Sequence, residues 1–480
     1  MPAPTLELAD IFRQHGPAYR QAHPMPLHHH RVMQAIEACR TPLLGGVVEW
    51  CDQCQYTHTR FRSCRNRHCP KCQGAARAKW LEQRTAELLP TDYFHVVFTL
   101  PEEIAAIAFY NQEVVYDMLF RTVAETLLSI TGDPQRLGVE TGFFTVLHTW
   151  GQNLHFHPHL HCVVPGGGLS PDHDRWIAGR RKFLLPVKVL SARFRRLFLQ
   201  ALAQAHAKGQ LQFFSDLGPL ADPTAFARYL APLQFKKWVV YAKAPFGGPQ
   251  HVLEYLGRYT HRVAISNRRL LALENGQVSF EWKDYRDANR IKVMTVPAVE
   301  FIRRFLQHVV PPGLQRIRYY GFLANCHRTA KLTLCRQLLA TVCSQLLPQP
   351  ADCRDFLAAL TRTNLRLCPQ CGKAILIRLQ FFPPCHGPVP LRVDSSRSPL
   401  APIRPHSGPA FPAGHPTRVS TPLSISRRHP FAPQITGRNR VSFIYRPPLP
   451  CRFIPSATRK LPRAASLNPK SPPSKQNNTH

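Results

Sequence analysis

The sequence predicts an α+β fold: an antiparallel sheet with helices, preceded by a small zinc-binding module and followed by a disordered basic tail. Three observations carry this prediction. Short alternating apolar runs (DYFHVVFTLP, TGFFTVLHTWGQ, HPHLHCVV) are interleaved with long stretches of helical periodicity. Cysteines cluster near the N-terminus in Cys-x-x-Cys pairs. From residue 383 the chain carries 21 of its 46 prolines and 15 Lys/Arg against one acidic residue, Asp394, with no periodicity left. The expected division is 1–90 (helical and zinc-binding), 91–296 (antiparallel sheet with helices), 297–382 (helical, basic, with a cysteine pair) and 383–480 (tail).

Taken in order, residues 5–40 have helical, His-rich character, and 47–74 hold too few apolar residues to fold without metal. Asp92–Pro101 alternates and reads as the first strand of a new domain, and 102–131 as helical. Thr141–Gln152 reads as a second strand, with HPHLHCVV paired beside it and a PGGG turn closing the run. VKVLSARFRRLFLQALAQAHAKG is an amphipathic helix, FKKWVVYAK a strand, and PQHVLEYLGRYTHR has helical spacing. Asn275-Gly276 between two alternating runs marks a hairpin. Residues 297–347 read as helical and basic.

At 480 residues and 44% hydrophobic, the chain can bury a sizeable core, and its formal charge of +34 points to a polyanionic partner, with nucleic acid first. No run of about 18 apolar residues is present to span a bilayer. MPAPTLELADIFRQHG lacks the charged start and apolar core of a secretory signal. The expected location is therefore inside the cell, where clustered cysteines act as metal ligands rather than disulfides.

In a strand, His159 and His161 either side of Leu160 aim two imidazoles at one point and send the leucine into the core. Such a pair can hold a divalent metal, with Gln152, His155 and His157 as candidates for a third ligand. Tyr255 and Tyr259 are four residues apart, which puts two phenols on one helix face. An aromatic core stripe has the same spacing, but Arg258, His261 and Arg262 make this helix too basic for a core and suit it to phosphates. A metal near a phenol would polarise a phosphodiester for attack, and the phosphotyrosine product would conserve the bond for rejoining.

Cys51-x-x-Cys54 and Cys69-x-x-Cys72 read as two knuckles closing one tetrahedral zinc site, leaving Cys39, Cys64 and His68 for a second site or a substitute ligand. Arg65, Arg67 and Lys71, crowded by further Arg and Lys, make the module a candidate DNA-docking surface. Cys368-Pro-Gln-Cys371 looks like half of another knuckle, with Cys353, Cys385 or His386 as possible completing ligands.

These residues resemble a known family. His159-Leu160-His161 resembles the histidine-hydrophobe-histidine motif of HUH endonucleases, and YLGRY the paired-tyrosine helix of their rolling-circle transposases. SCRNRHCPKCQ, GRYTHRVAISNRRL and RIRYYGFLAN, in that order, look like the insertion sequence 91 family of transposases, and the resemblance covers roughly residues 10–375. It implies an HUH-type catalytic domain that nicks single-stranded DNA at element ends and becomes joined to the 5′ end. It further implies that Tyr255 and Tyr259 are the nucleophiles, that His159 and His161 hold Mg²⁺ or Mn²⁺, and that the protein works in the bacterial cytoplasm at the nucleoid. The alternatives are a replication initiator or relaxase with the same chemistry, and a non-enzymatic zinc-dependent DNA-binding regulator.

Overall fold

The computed structural model describes residues 6–180, 184–243, 263–285, 287–340 and 367–384. The chain opens with α1 (Leu8–Ala22) and α2 (Leu27–Glu37), then β1 (Gly46–Trp50), β2 (Thr57–Phe61) and α3 (Gln73–Thr85). β3 (Tyr93–Thr99) leads into α4 (Glu102–Tyr110) and α5 (Gln112–Gly132). The single helix expected over 102–131 is broken at Asn111. Its side chain donates to the carbonyls of Ile107 and Gln212 and accepts from the Gln212 amide, so the helix break doubles as a tie to a distant loop.

Next come β4 (Gly142–Trp150), β5 (Phe156–Pro165), and the short pair β6 (Gly167–Leu169) and β7 (Trp176–Ala178). The glycines after Pro165 therefore form a strand rather than a closing turn. A Cβ on Gly167 would come within 2.5 Å of the Ile177 carbonyl oxygen, so only glycine lets the two backbones pair here. α6 (Val187–Ala207), α7 (Pro223–Leu230) and β8 (Val240–Lys243) follow. The expected hairpin is present: β9 (Leu270–Glu274) and β10 (Gln277–Asp284) flank Asn275 and Gly276, both at positive φ, and β11 (Arg290–Pro297) pairs with β10. α8 (Ala298–Leu306), β12 (Ile317–Gly321), α9 (Arg328–Ala340) and β13 (Ile377–Phe382) complete the order. Among the described residues no helix is long and apolar enough to cross a membrane.

The central sheet has five antiparallel strands in the order β12-β4-β5-β3-β8. One face carries Phe94, Val96, Phe98, Phe143, Leu147, Leu160, Cys162 and Val164, all buried in a core shared with residues of α4, α5 and α6. The opposite face carries His95, His148, His159 and His161 by alternation. Part of that second face is covered by Trp80 and Leu81 of α3, which pack with Tyr93, Phe144, Val146 and Val163.

A second core joins α1 and α2 to β9, β10, β11 and α8, and includes Cys39, Cys69, Trp150 and Leu154. The cores thus part company with the expected boundaries. Residues 270–309 pack on the N-terminal helices, and β12, within the region read as helical, is an edge strand of the central sheet. β13 pairs with β1 in a small β13-β1-β2 sheet, so the C-terminal cysteine segment belongs to the N-terminal module. The tail from residue 385 lies outside the described residues.

Candidate functional site

Three imidazoles converge near the end of β4 and the start of β5. His148 is the cross-strand partner of His159, and His161 lies two residues further along β5. Their ligand nitrogens all lie within 4.8 Å of one another. His159 Nδ1 donates to the His157 carbonyl at 2.6 Å, which directs its Nε2 lone pair toward His161 Nε2, 3.1 Å away. His161 Nδ1 lies 2.8 Å from Nε2 of His95 on β3, in parallel rings 5.0 Å apart. That contact holds the His161 ring and turns its other nitrogen to the cluster. His148 stacks on Trp150 at 4.7 Å and meets the other two rings edge-on.

His148 and His161 are buried while His159 is half-exposed, so the cluster sits in a pocket with a solvent-facing lip. Three neutral imidazoles, two of them oriented by hydrogen bonds, suit a divalent first-row ion with coordination positions left for a substrate.

The third histidine is His148, not one of the three candidates offered by sequence proximity. Gln152 donates its amide to the Tyr285 hydroxyl at 3.1 Å. His155 and His157 are exposed, and neither joins the cluster. The missing signal was register: once the two strands pair, His148 stands opposite His159.

Tyr255, Tyr259, Arg258 and Arg262 lie outside the described residues. Of the residues bordering that segment, one lies in register with the histidine face. Lys243, at the end of β8, is the cross-strand partner of His95. Ala264 and Ile265 are buried in the same core as Trp150, on which His148 stacks.

The thiols fall into two tetrads, which corrects the single site expected from Cys51, Cys54, Cys69 and Cys72. Cys69 and Cys72 converge with Cys39 and Cys64, while Cys51 and Cys54 converge with Cys368 and Cys371. In the first tetrad Cys72 Sγ lies 3.4 Å from Cys39 Sγ and 3.5 Å from Cys64 Sγ. Spacing of this order matches the edge of a tetrahedral zinc thiolate, about 3.8 Å for Zn–S bonds of about 2.3 Å.

The expected DNA-docking side chains also divide. Arg65 is exposed. Arg67 donates to the Leu314 carbonyl at 2.7 Å, and burial lowers its pKa. Lys71 pairs with Glu7 at 2.6 Å and is largely covered. The loop between Cys64 and Cys69 is thus keyed into the segment preceding β12, with His68 buried and its pKa lowered by that burial and by Arg316 and Arg67.

The sequence is similar to known proteins over most of its length. A family profile described as "Transposase zinc-binding domain" matches residues 11–100, which contain the whole first tetrad. A second, described as "Putative transposase", matches residues 142–331, which include His148, His159 and His161. The chain is 58% identical over 385 residues to a protein of Sinorhizobium fredii named "Putative transposase y4qJ", covering 80% of this chain and 97% of that one. It is 28% identical over 291 residues to the "Transposase for insertion sequence element IS801" of Pseudomonas savastanoi pv. phaseolicola, covering 60% of this chain and 68% of that one. With two transposase profiles matched and both relatives named as transposases, one of them 58% identical over most of both chains, the protein belongs to the insertion sequence 91 family of transposases.

Proposed function

We propose that this transposase nicks and transfers one DNA strand through a 5′-phosphotyrosine, in the manner of rolling-circle transposition, using a divalent cation at His148, His159 and His161. The observation that carries this reading is the convergence of three imidazole nitrogens within 4.8 Å on one sheet face. When bound, the cation supplies Lewis acidity toward the phosphodiester and the leaving oxygen. Of Mg²⁺ and Mn²⁺, an all-imidazole donor set favours Mn²⁺, because magnesium prefers oxygen ligands.

The side chains of this chain do the rest. His159 and His161 present Nε2 because the His157 carbonyl and His95 occupy their other ring nitrogens. Tyr255 and Tyr259 are proposed as nucleophiles. The phenolic oxygen of one attacks the phosphorus, its proton leaves to solvent or a neighbouring base, the P–O3′ bond breaks, and a 3′-hydroxyl is released. Two tyrosines would allow a second cut while the first end is still held. The register of Lys243 with His95, at the start of the segment that carries the tyrosines, supports delivery of those tyrosines to the cluster.

The test is to incubate the protein with single-stranded oligonucleotides of element-end sequence and Mn²⁺, then resolve the products on a denaturing gel. Wild-type protein should carry a covalently attached oligonucleotide. His148→Ala should reduce the adduct by two orders of magnitude or more, and Tyr255→Phe with Tyr259→Phe should abolish it. An adduct that survives the double tyrosine change would overturn the assignment. Absence of any adduct with folded wild-type protein would favour a DNA-binding regulator.

A further inference from the structure

The second thiol tetrad joins cysteines more than three hundred positions apart in the sequence. Cys51 Sγ is 3.7 Å from Cys371 Sγ, and Cys54 Sγ is 3.7 Å from Cys368 Sγ. We propose that Cys51, Cys54, Cys368 and Cys371 bind a second zinc ion, which fastens residues 367–384 to the N-terminal module.

The spacing is that of thiolates around one tetrahedral ion, and far from the roughly 2 Å of a disulfide. The two halves are built alike. Gln55 N–H donates to the Cys51 carbonyl at 2.9 Å, and Gly372 N–H to the Cys368 carbonyl at 2.8 Å. Gln55 and Gly372, each four residues after the first cysteine of its pair, both have positive φ, at 58° and 66°. Two turns of the same design therefore face each other, each delivering two sulfurs. Cys51 and Cys368 are buried, and Cys54 and Cys371 are half-covered.

A second observation shows why this segment needs metal. β13 pairs with β1 from Gly46↔Phe382 to Trp50↔Ile377, yet Ile377, Leu379 and Phe381 are exposed. A strand that buries so little apolar surface gains little from the hydrophobic effect, and a zinc tetrathiolate can supply the missing free energy. The site lies partly beyond both matched regions, because residues 367–384 fall outside 11–100 and 142–331. It is independent of the strand-transfer reading.

Elemental analysis of the purified full-length protein carrying His148→Ala, which removes the imidazole cluster as a further place for zinc, tests the proposal. Two zinc ions per chain are expected. Cys368→Ser with Cys371→Ser should leave one, Cys51→Ser with Cys54→Ser should also leave one, and all four changes together should leave one rather than none. Titration of metal-free wild-type protein with Co²⁺ should likewise reach its tetrathiolate absorption endpoint at two equivalents, which keeps the test open if a variant does not fold. One zinc per His148→Ala chain, two zincs retained after Cys368→Ser and Cys371→Ser, or iron in place of zinc would each overturn the assignment.

Discussion

At the scale of single residues, the candidate catalytic face is built by alternation and held by neighbours that never need to touch substrate. His308 is one of these. It is fully buried beside Trp150 and Phe156, with Nε2 donating to the Leu154 carbonyl at 3.2 Å and Nδ1 3.3 Å from the Thr149 hydroxyl. Burial pushes its pKa down from 6.5 to about 3. The folded state therefore prefers the neutral ring. The contribution to stability is complete above about pH 6.5 and is lost as pH falls from there toward 3, a change on the order of 5 kcal/mol. Denaturant unfolding followed between pH 7 and pH 4 should show a shallower acid loss for His308→Gln than for the native chain, and parallel curves would refute this. The His-x-His pair was legible in the sequence because strand alternation alone puts both rings on one side. His148 was not, because its role comes from pairing with a strand whose register no single segment specifies.

At the scale of elements, β5 separates two jobs between its faces. His159 and His161 look into the site, while Leu160, fully buried between them, packs into the core of α4, α5 and α6. Leu160→Ala should cost about 2–5 kcal/mol of stability, read as a lowered unfolding midpoint, because it opens a cavity behind the site. If the same variant kept wild-type stability, the strand would not be buried as described. The long periodic helices, the first strands and the Asn275-Gly276 hairpin could be read from sequence because local pattern and final structure agree there. β12 and β13 could not. β12 is a five-residue edge strand inside a basic stretch with helical spacing, and the five exposed positions of β13 leave no alternation to detect. The Cys-x-x-Cys spacings identified the turns but not their partners, since nothing local to Cys51 points to a residue some three hundred positions away.

At the scale of the whole molecule, the excess of positive charge has two uses. Some cations brace the fold: Arg67 fastens the zinc loop to Leu314, Lys71 pairs with Glu7, and Arg318 pairs with Asp117 at 2.8 Å. Others, such as Arg65, face solvent. These uses are separable by experiment. Arg65→Ala should reduce the slope of log affinity for DNA against log salt by about 1 without changing the unfolding midpoint. Arg67→Ala should lower the midpoint and leave that slope nearly unchanged, and the reverse pattern would contradict the assignment of these side chains.

The pairing of β13 with β1 also sets a timetable. As the chain leaves the ribosome, β1 can find β2 almost at once, but its other edge must wait for some three hundred further residues, roughly 15–60 seconds at ordinary bacterial elongation rates. Throughout that interval Cys51 and Cys54 have no partners for a four-sulfur shell, and the bare edge of β1 is open to neighbouring nascent chains. The N-terminal module is among the first parts of this protein to be made and among the last to be finished.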